Sequence, residues 1–105
     1  MMSKILPYKL TRIAESDLLQ IKYYSEEVWG QDITKKYLTQ IHNKCIEICN
    51  FPHIRINRPE IFESVKSIAI NSHMILYALV DNKIEILRVL HKNMDITKIY
   101  SKKLT

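Results

Sequence analysis

Glycine occurs once and proline three times in 105 residues, and no Gly/Ser-rich or low-complexity stretch interrupts the chain. So few breakers exclude flexible linkers and predict long regular elements with short connections. There are two cysteines, Cys45 and Cys49, one helical turn apart, and nothing elsewhere can pair with them. This excludes a disulfide framework. His42, Cys45 and Cys49 would share one helix face, but three ligands on one element with no second Cys/His pair make a poor zinc signature. Buried structural thiols are the preferred reading, because free Cys behaves as a small core hydrophobe. The longest apolar run, "MILYALV" at 74–80, is far too short to span a bilayer, and "MMSKILPYKL" lacks the apolar core of a signal peptide. A cytoplasmic location with no membrane contact is expected.

What is present fits one compact domain. At this length a second domain would leave neither half with enough core, and the hydrophobic fraction of 47% is that of a globular chain rather than a disordered one. Lysine and arginine outnumber the acids to give a net charge of +5. That balance favours an anionic partner, nucleic acid or an acidic protein segment, or merely keeps the protein in solution.

Periodicity predicts an α+β order. "KILPYKLT" at 4–11 reads as an edge strand, since Pro7 cannot donate to a central ladder. Thr11 is a helix N-cap, followed by Ala14, Leu18, Ile21, Tyr24 and Val28 at helical spacing. Gly30, the single glycine, ends that helix in a left-handed conformation. Asp32 caps a second helix with Ile33, Tyr37, Ile41, Cys45 and Ile48 on one side, stopped by Pro52. So short a turn makes the helices antiparallel neighbours. After a loop, "HIRINRPEIFE" at 53–63, three strands follow: "SVKSIAIN", the doubly apolar "HMILYALV" and "KIEILRVLH", with a hairpin turn at Asp81 and Asn82. Asp95 caps a short basic helix, "ITKIYSKKL". The helical hairpin is expected to cover one face of a small antiparallel sheet and to leave the other face open.

"YKLTRIAESDLLQIKYYSEEVWG" at 8–30 resembles the first strand and helix of ParE toxins, within the RelE/ParE toxin superfamily. "INSHMILYALVDNKIEILRVLHKNMD" at 70–95 resembles the last two strands of that family. Trp29, Gly30, Arg88, His91, Met94 and Asp95 carry the signature. The resemblance implies a RelE/ParE-like fold and a toxin of a type II toxin–antitoxin pair. Such a toxin inhibits DNA gyrase by stabilising its cleaved DNA complex and is neutralised by a cognate ParD-like antitoxin, in an oligomeric complex. It implies no cofactor and no metal. RelE-type relatives instead cut mRNA on the ribosome, and a third possibility is an inactive homologue that only binds an antitoxin; fold alone does not separate these.

The residues weigh these mechanisms. A metal-free ribonuclease needs a base, an acid and cations around the phosphate, for which Lys66, His73, Arg88, His91 and Tyr100 are the candidates. On a regular last strand Arg88 shares a face with Ile84, Ile86 and Leu90, and His91 points the other way with Val89, so the two do not converge unless a bulge intervenes. Lys66 and Arg88 alone make a thin phosphate clamp, which favours a non-catalytic inhibitor. Arg88 either pairs with a carboxylate such as Glu60 or Glu63 or contacts a partner directly. His91 is read as structural, having no second titrating group beside it. Trp29 is read as capping the local core, with insertion into a partner as the alternative. The basic set Arg55, Arg58, Lys92, Lys98, Lys102 and Lys103, joined by Lys66 and Arg88, is the candidate partner surface.

Overall fold

The computed structural model describes residues 7–51, 56–57 and 65–94. Its elements are β1 (Tyr8–Leu10), α1 (Arg12–Trp29), α2 (Gln31–Asn50), β2 (Ile56–Asn57), β3 (Lys66–Ile70), β4 (His73–Val80) and β5 (Lys83–His91). They form one sheet in the order β1-β5-β4-β3-β2, with α1 and α2 packed on one face. The meander β3-β4-β5 is antiparallel as expected, and Asp81 and Asn82, both at positive φ, make its hairpin turn. Two features depart from the expected sheet. β1 pairs with β5 in parallel, Tyr8 to Leu10 against Ile84 to Ile86, so the sheet is mixed. Ile56–Asn57, within the expected loop, pairs with Ser67 and Lys66 as a second edge strand. The short C-terminal helix expected after Asp95 lies outside the described residues.

Thr11 joins the first strand to the first helix. Its Oγ1 accepts the Ala14 amide at 3.0 Å and donates to the Leu87 carbonyl at 2.9 Å, while its own amide donates to Ile86. The cap therefore fixes the start of α1 and ties it to β5. At the other end, Gly30 alone connects the helices. Its φ of 93° and ψ of 170° lie in a mirror-extended region open essentially to glycine, not in the left-handed helical region expected. Gly30, not Asp32, is the N-cap of α2, and Asp32 sits in the first turn; Thr34 Oγ1 donates to the Gly30 carbonyl at 2.8 Å.

The main core joins Ala14 and Ile21 of α1 and Ile41, Cys45 and Ile48 of α2 to Ile75 and Tyr77 of β4 and Ile84, Ile86 and Val89 of β5. Filling this layer with branched and aromatic side chains supplies the dominant stabilising term, on the order of 25 cal/mol per Å² of apolar area removed from water. The opposite face of the sheet is not open throughout: Val65, Leu76 and Leu90 are buried in a second cluster, flanked by Met74 and Leu87. Toward Gly30 the helices outrun the core. Tyr24, Val28, Trp29 and Ile33 are exposed, so the apolar stripe there has no partner within the described chain. Trp29, at 62% exposure, does not cap the core as expected.

Candidate functional site

A break in the β4-β5 register organises the site. Tyr77 stands opposite Ile86 but Leu76 opposite Arg88, leaving Leu87 as an extra residue. Such a bulge disrupts ladder hydrogen bonds and re-aims the side chains beyond it. Here α1 helps to satisfy the local backbone: Thr11 donates to the Leu87 carbonyl, and the Asp17 carboxylate accepts the Val89 amide at 2.9 Å. The same carboxylate holds the Arg88 guanidinium through Nε at 2.9 Å and the terminal nitrogen Nη2 at 3.0 Å. This fork-on-carboxylate geometry is the strong form of an ion pair. Asp17, 71 positions away, is thus a carboxylate partner of Arg88 that the sequence did not suggest; Glu60 and Glu63, the carboxylates it offered, lie outside the described residues.

The slip also overturns the expected alternation. Beyond the bulge, Val89 pairs with Ile75 and His91 with His73, so His91 follows Ile84, Ile86 and Val89 on the helix-facing side. His91 therefore does have a titrating neighbour. The rings of His73 and His91 lie edge to face with centroids 5.4 Å apart. His73 Nδ1 is 2.6 Å from the hydroxyl of Tyr37 on α2, and that hydroxyl donates to the Ile70 carbonyl at 3.2 Å. His91 Nδ1 accepts the Asn93 amide at 3.1 Å. Burial, and then the neighbouring His91, hold His73 below the usual imidazole pKa; burial raises that of Tyr37. Partial burial favours the neutral forms here because desolvation penalises the charged state.

These rings form the floor of a groove of about 800 Å³ between the free end of the helical hairpin and the β3-β4 turn. Tyr24 and Trp29 of α1, Ile33, Lys36 and Tyr37 of α2, and Met94 also line it. The expected residues distribute unevenly around it. Trp29, His91 and Met94 line the groove, and Gly30 sets the turn between its helical walls. Arg88 is turned to Asp17. Lys66 sits at the far end of β3, about 13 Å of strand from the Ile70–His73 pair, so Lys66 does not join the histidines in a phosphate clamp. Lys92 is exposed just beyond β5. Arg55, Arg58, Asp95, Lys98, Tyr100, Lys102 and Lys103 lie outside the described residues.

Sequence reasoning missed Tyr37, placed as a core position, and Asp17, whose role had no sequence signal except its place between apolar neighbours on the buried side of α1. His42 and the cysteines form no metal centre. His42 Nδ1 is 2.6 Å from the Tyr8 hydroxyl, Cys45 is buried, and Cys49 Sγ contacts the Pro7 carbonyl at 3.5 Å. Among the described residues no three His, Cys, Asp or Glu side chains are grouped to hold a metal ion. Nor is any described helix long and apolar enough to cross a membrane.

The chain is similar to known proteins. A family model described as "ParE toxin of type II toxin-antitoxin system, parDE" matches residues 8–96. Toxin ParE1 of Caulobacter vibrioides is 32% identical over 89 residues, covering 85% of this chain and 92% of that protein. Toxin ParE1 of Mycobacterium tuberculosis is 26% identical over 92 residues, covering 87% and 94% respectively. A solved structure described as "Chromosomal ParDE TA system from P. aeruginosa" superposes with a TM-score of 0.71 at 20% identity, over 85% of this chain and 98% of that one.

Proposed function

Because the chain belongs to the ParE toxin family, the toxin half of type II toxin–antitoxin systems, we propose that it inhibits DNA gyrase by binding and stabilising the enzyme's cleaved DNA complex. In this reading a ParD-like antitoxin neutralises it in the cytoplasm by laying a segment along the groove, within an oligomeric complex. The observation that carries the reading is the exposed apolar rim of Tyr24, Val28, Trp29 and Ile33, without a partner among the described residues, beside that groove. Exposed aromatic and aliphatic clusters of this kind mark interaction surfaces, and an amphipathic segment that folds on contact suits an elongated groove. Gyrase would be met by the basic set, with Lys92, Lys98, Lys102 and Lys103 and the arginines Arg55 and Arg58 attracting DNA held by the enzyme.

The test is to incubate the protein with gyrase, ATP and plasmid, then add detergent and protease. Gyrase-dependent linear plasmid supports poisoning; unchanged supercoiling with no linear product refutes it for that enzyme. Charge reversal at Lys98, Lys102 and Lys103 is expected to weaken the effect.

One observation favours a second reading. His73 and His91 supply the adjacent base and acid that an mRNA endoribonuclease of the RelE kind requires. Against it, Arg88 is held by Asp17 and Lys66 stands well away from the histidines, so neither of these two cations is placed to hold phosphate charge in the transition state. Ribosome-dependent mRNA cleavage that vanishes in His91→Ala would favour this reading over the first.

A further inference from the structure

We propose that His73 and His91 form an anion subsite in the groove floor, one that takes an Asp or Glu carboxylate of the antitoxin segment and acquires a proton on His73 as it does so. The inference rests on the reading that the antitoxin occupies the groove.

The two rings are assigned different tautomers. Tyr37 has one hydroxyl proton; assigned to the Ile70 carbonyl, it leaves the 2.6 Å contact to the Nδ1 proton of His73. Neutral His73 then carries a bare lone pair on Nε2. His91 is the reverse: its Nδ1 accepts from Asn93, which places its proton on Nε2. Neither Nε2 has a partner among the described residues, and both rings line the groove. A carboxylate there receives the Nε2–H of His91 as it stands. To receive a second hydrogen bond it needs a proton on His73 Nε2, taken from solvent.

The surrounding charges fit an anion. Lys36 faces the groove from α2, beside Tyr37, and Lys92 follows His91 beyond β5. From α1 the facing acid is Asp17, whose oxygens are already held by Arg88 and the Val89 amide. The groove thus has positive or protonatable groups and no uncommitted carboxylate among its described lining residues. Its apolar walls suit an amphipathic peptide better than a polynucleotide. In the free protein His73 is held neutral by burial and by His91; a bound carboxylate reverses that balance. Binding therefore raises the His73 pKa, so affinity gains as pH falls and is lost as pH rises through the bound-state value.

The test is calorimetric titration of the full-length toxin with its ParD-type antitoxin at pH 6, 7 and 8, in buffers of differing ionisation enthalpy. The expected result is uptake of about one proton near pH 7 and a dissociation constant about tenfold or more tighter at pH 6 than at pH 8. His73→Gln should abolish both the uptake and the pH dependence, whereas His91→Ala should weaken binding at every pH and keep some uptake. Circular dichroism melts establish that each variant is folded. Uptake that persists unchanged in His73→Gln, or none in the parent protein, overturns the subsite. Displacement of the antitoxin at pH 6 by a short single-stranded RNA would assign the anion to phosphate and overturn the carboxylate proposal. Unchanged affinity in Trp29→Ala with Ile33→Ala would instead remove the groove reading itself, and the subsite with it.

Discussion

The Asp17–Arg88 pair provides the sharpest test of how this fold is held. Their side chains are 9% and 17% exposed, and three hydrogen bonds meet on one carboxylate. Asp17→Ala takes the forked carboxylate away from a poorly solvated guanidinium and leaves the Val89 amide without its acceptor. Breaking a buried pair in this way costs about 3–5 kcal/mol. For a domain of this size that corresponds to a melting temperature lowered by about 15–25 °C. Asp17→Asn keeps an oxygen for the Val89 amide and loses the charge, so it should fall between Asp17→Ala and the parent. The double variant Asp17→Leu with Arg88→Met removes both charges. Replacing a buried pair by apolar groups is often near neutral, so what remains is the orphaned amide, about 1–3 kcal/mol. Urea and thermal unfolding followed by circular dichroism would measure the parent, these variants, Arg88→Ala and the double variant Asp17→Ala with Arg88→Ala. Losses under 1 kcal/mol in both Asp17→Ala and Arg88→Ala, or single losses that simply add in the double variant, would refute the reasoning. Either outcome would mean that the bulge does not depend on this carboxylate.

Other consequences follow from single positions. Gly30→Ala should cost about 1–3 kcal/mol in unfolding experiments, and the cause would be backbone conformation alone, since a Cβ there meets nothing within 4 Å. Thr11→Ala should cost about 0.5–2 kcal/mol through the lost cap, checked by the same melts. Because the His73 pKa in the folded protein lies below its ordinary value, the unfolded chain binds the proton first. The stability associated with neutral His73 is therefore present above the unfolded imidazole pKa and is lost as pH falls through the folded one. A pH series of urea midpoints should show this slope, and His73→Gln should flatten it. Cys45 is buried, with its thiol pKa pushed up to about 12 by burial and then by Cys49, whereas Cys49 is less buried. Brief alkylation at pH 8 followed by peptide mass mapping should label Cys49 and spare Cys45 until the protein unfolds.

The linear chain by itself determined the two helices and the β3-β4-β5 meander, because their causes are local. Thr11 begins a helix, a single glycine ends it, Asp81 and Asn82 tolerate positive φ, and apolar spacing marks the apolar side of each helix and strand. The signature around Trp29 and Gly30 and around residues 88 to 95 pointed to the family for the same reason: it is written in consecutive residues. Tertiary structure decided the rest. The bulge at Leu87 arises where α1 offers Thr11 and Asp17 to the β5 backbone, and strand alternation cannot foresee hydrogen bonds from residues about seventy positions away. One inserted residue moved His91 onto the helix-facing side beside His73, which Tyr37 contacts. The same long-range packing turned Arg88 inward to Asp17. It also left Trp29 exposed, since a helix can be apolar at its tip without having anything to cover. Periodicity reports which side of an element is apolar; only the assembled sheet and hairpin determine which part of that side is buried and which is left for a partner.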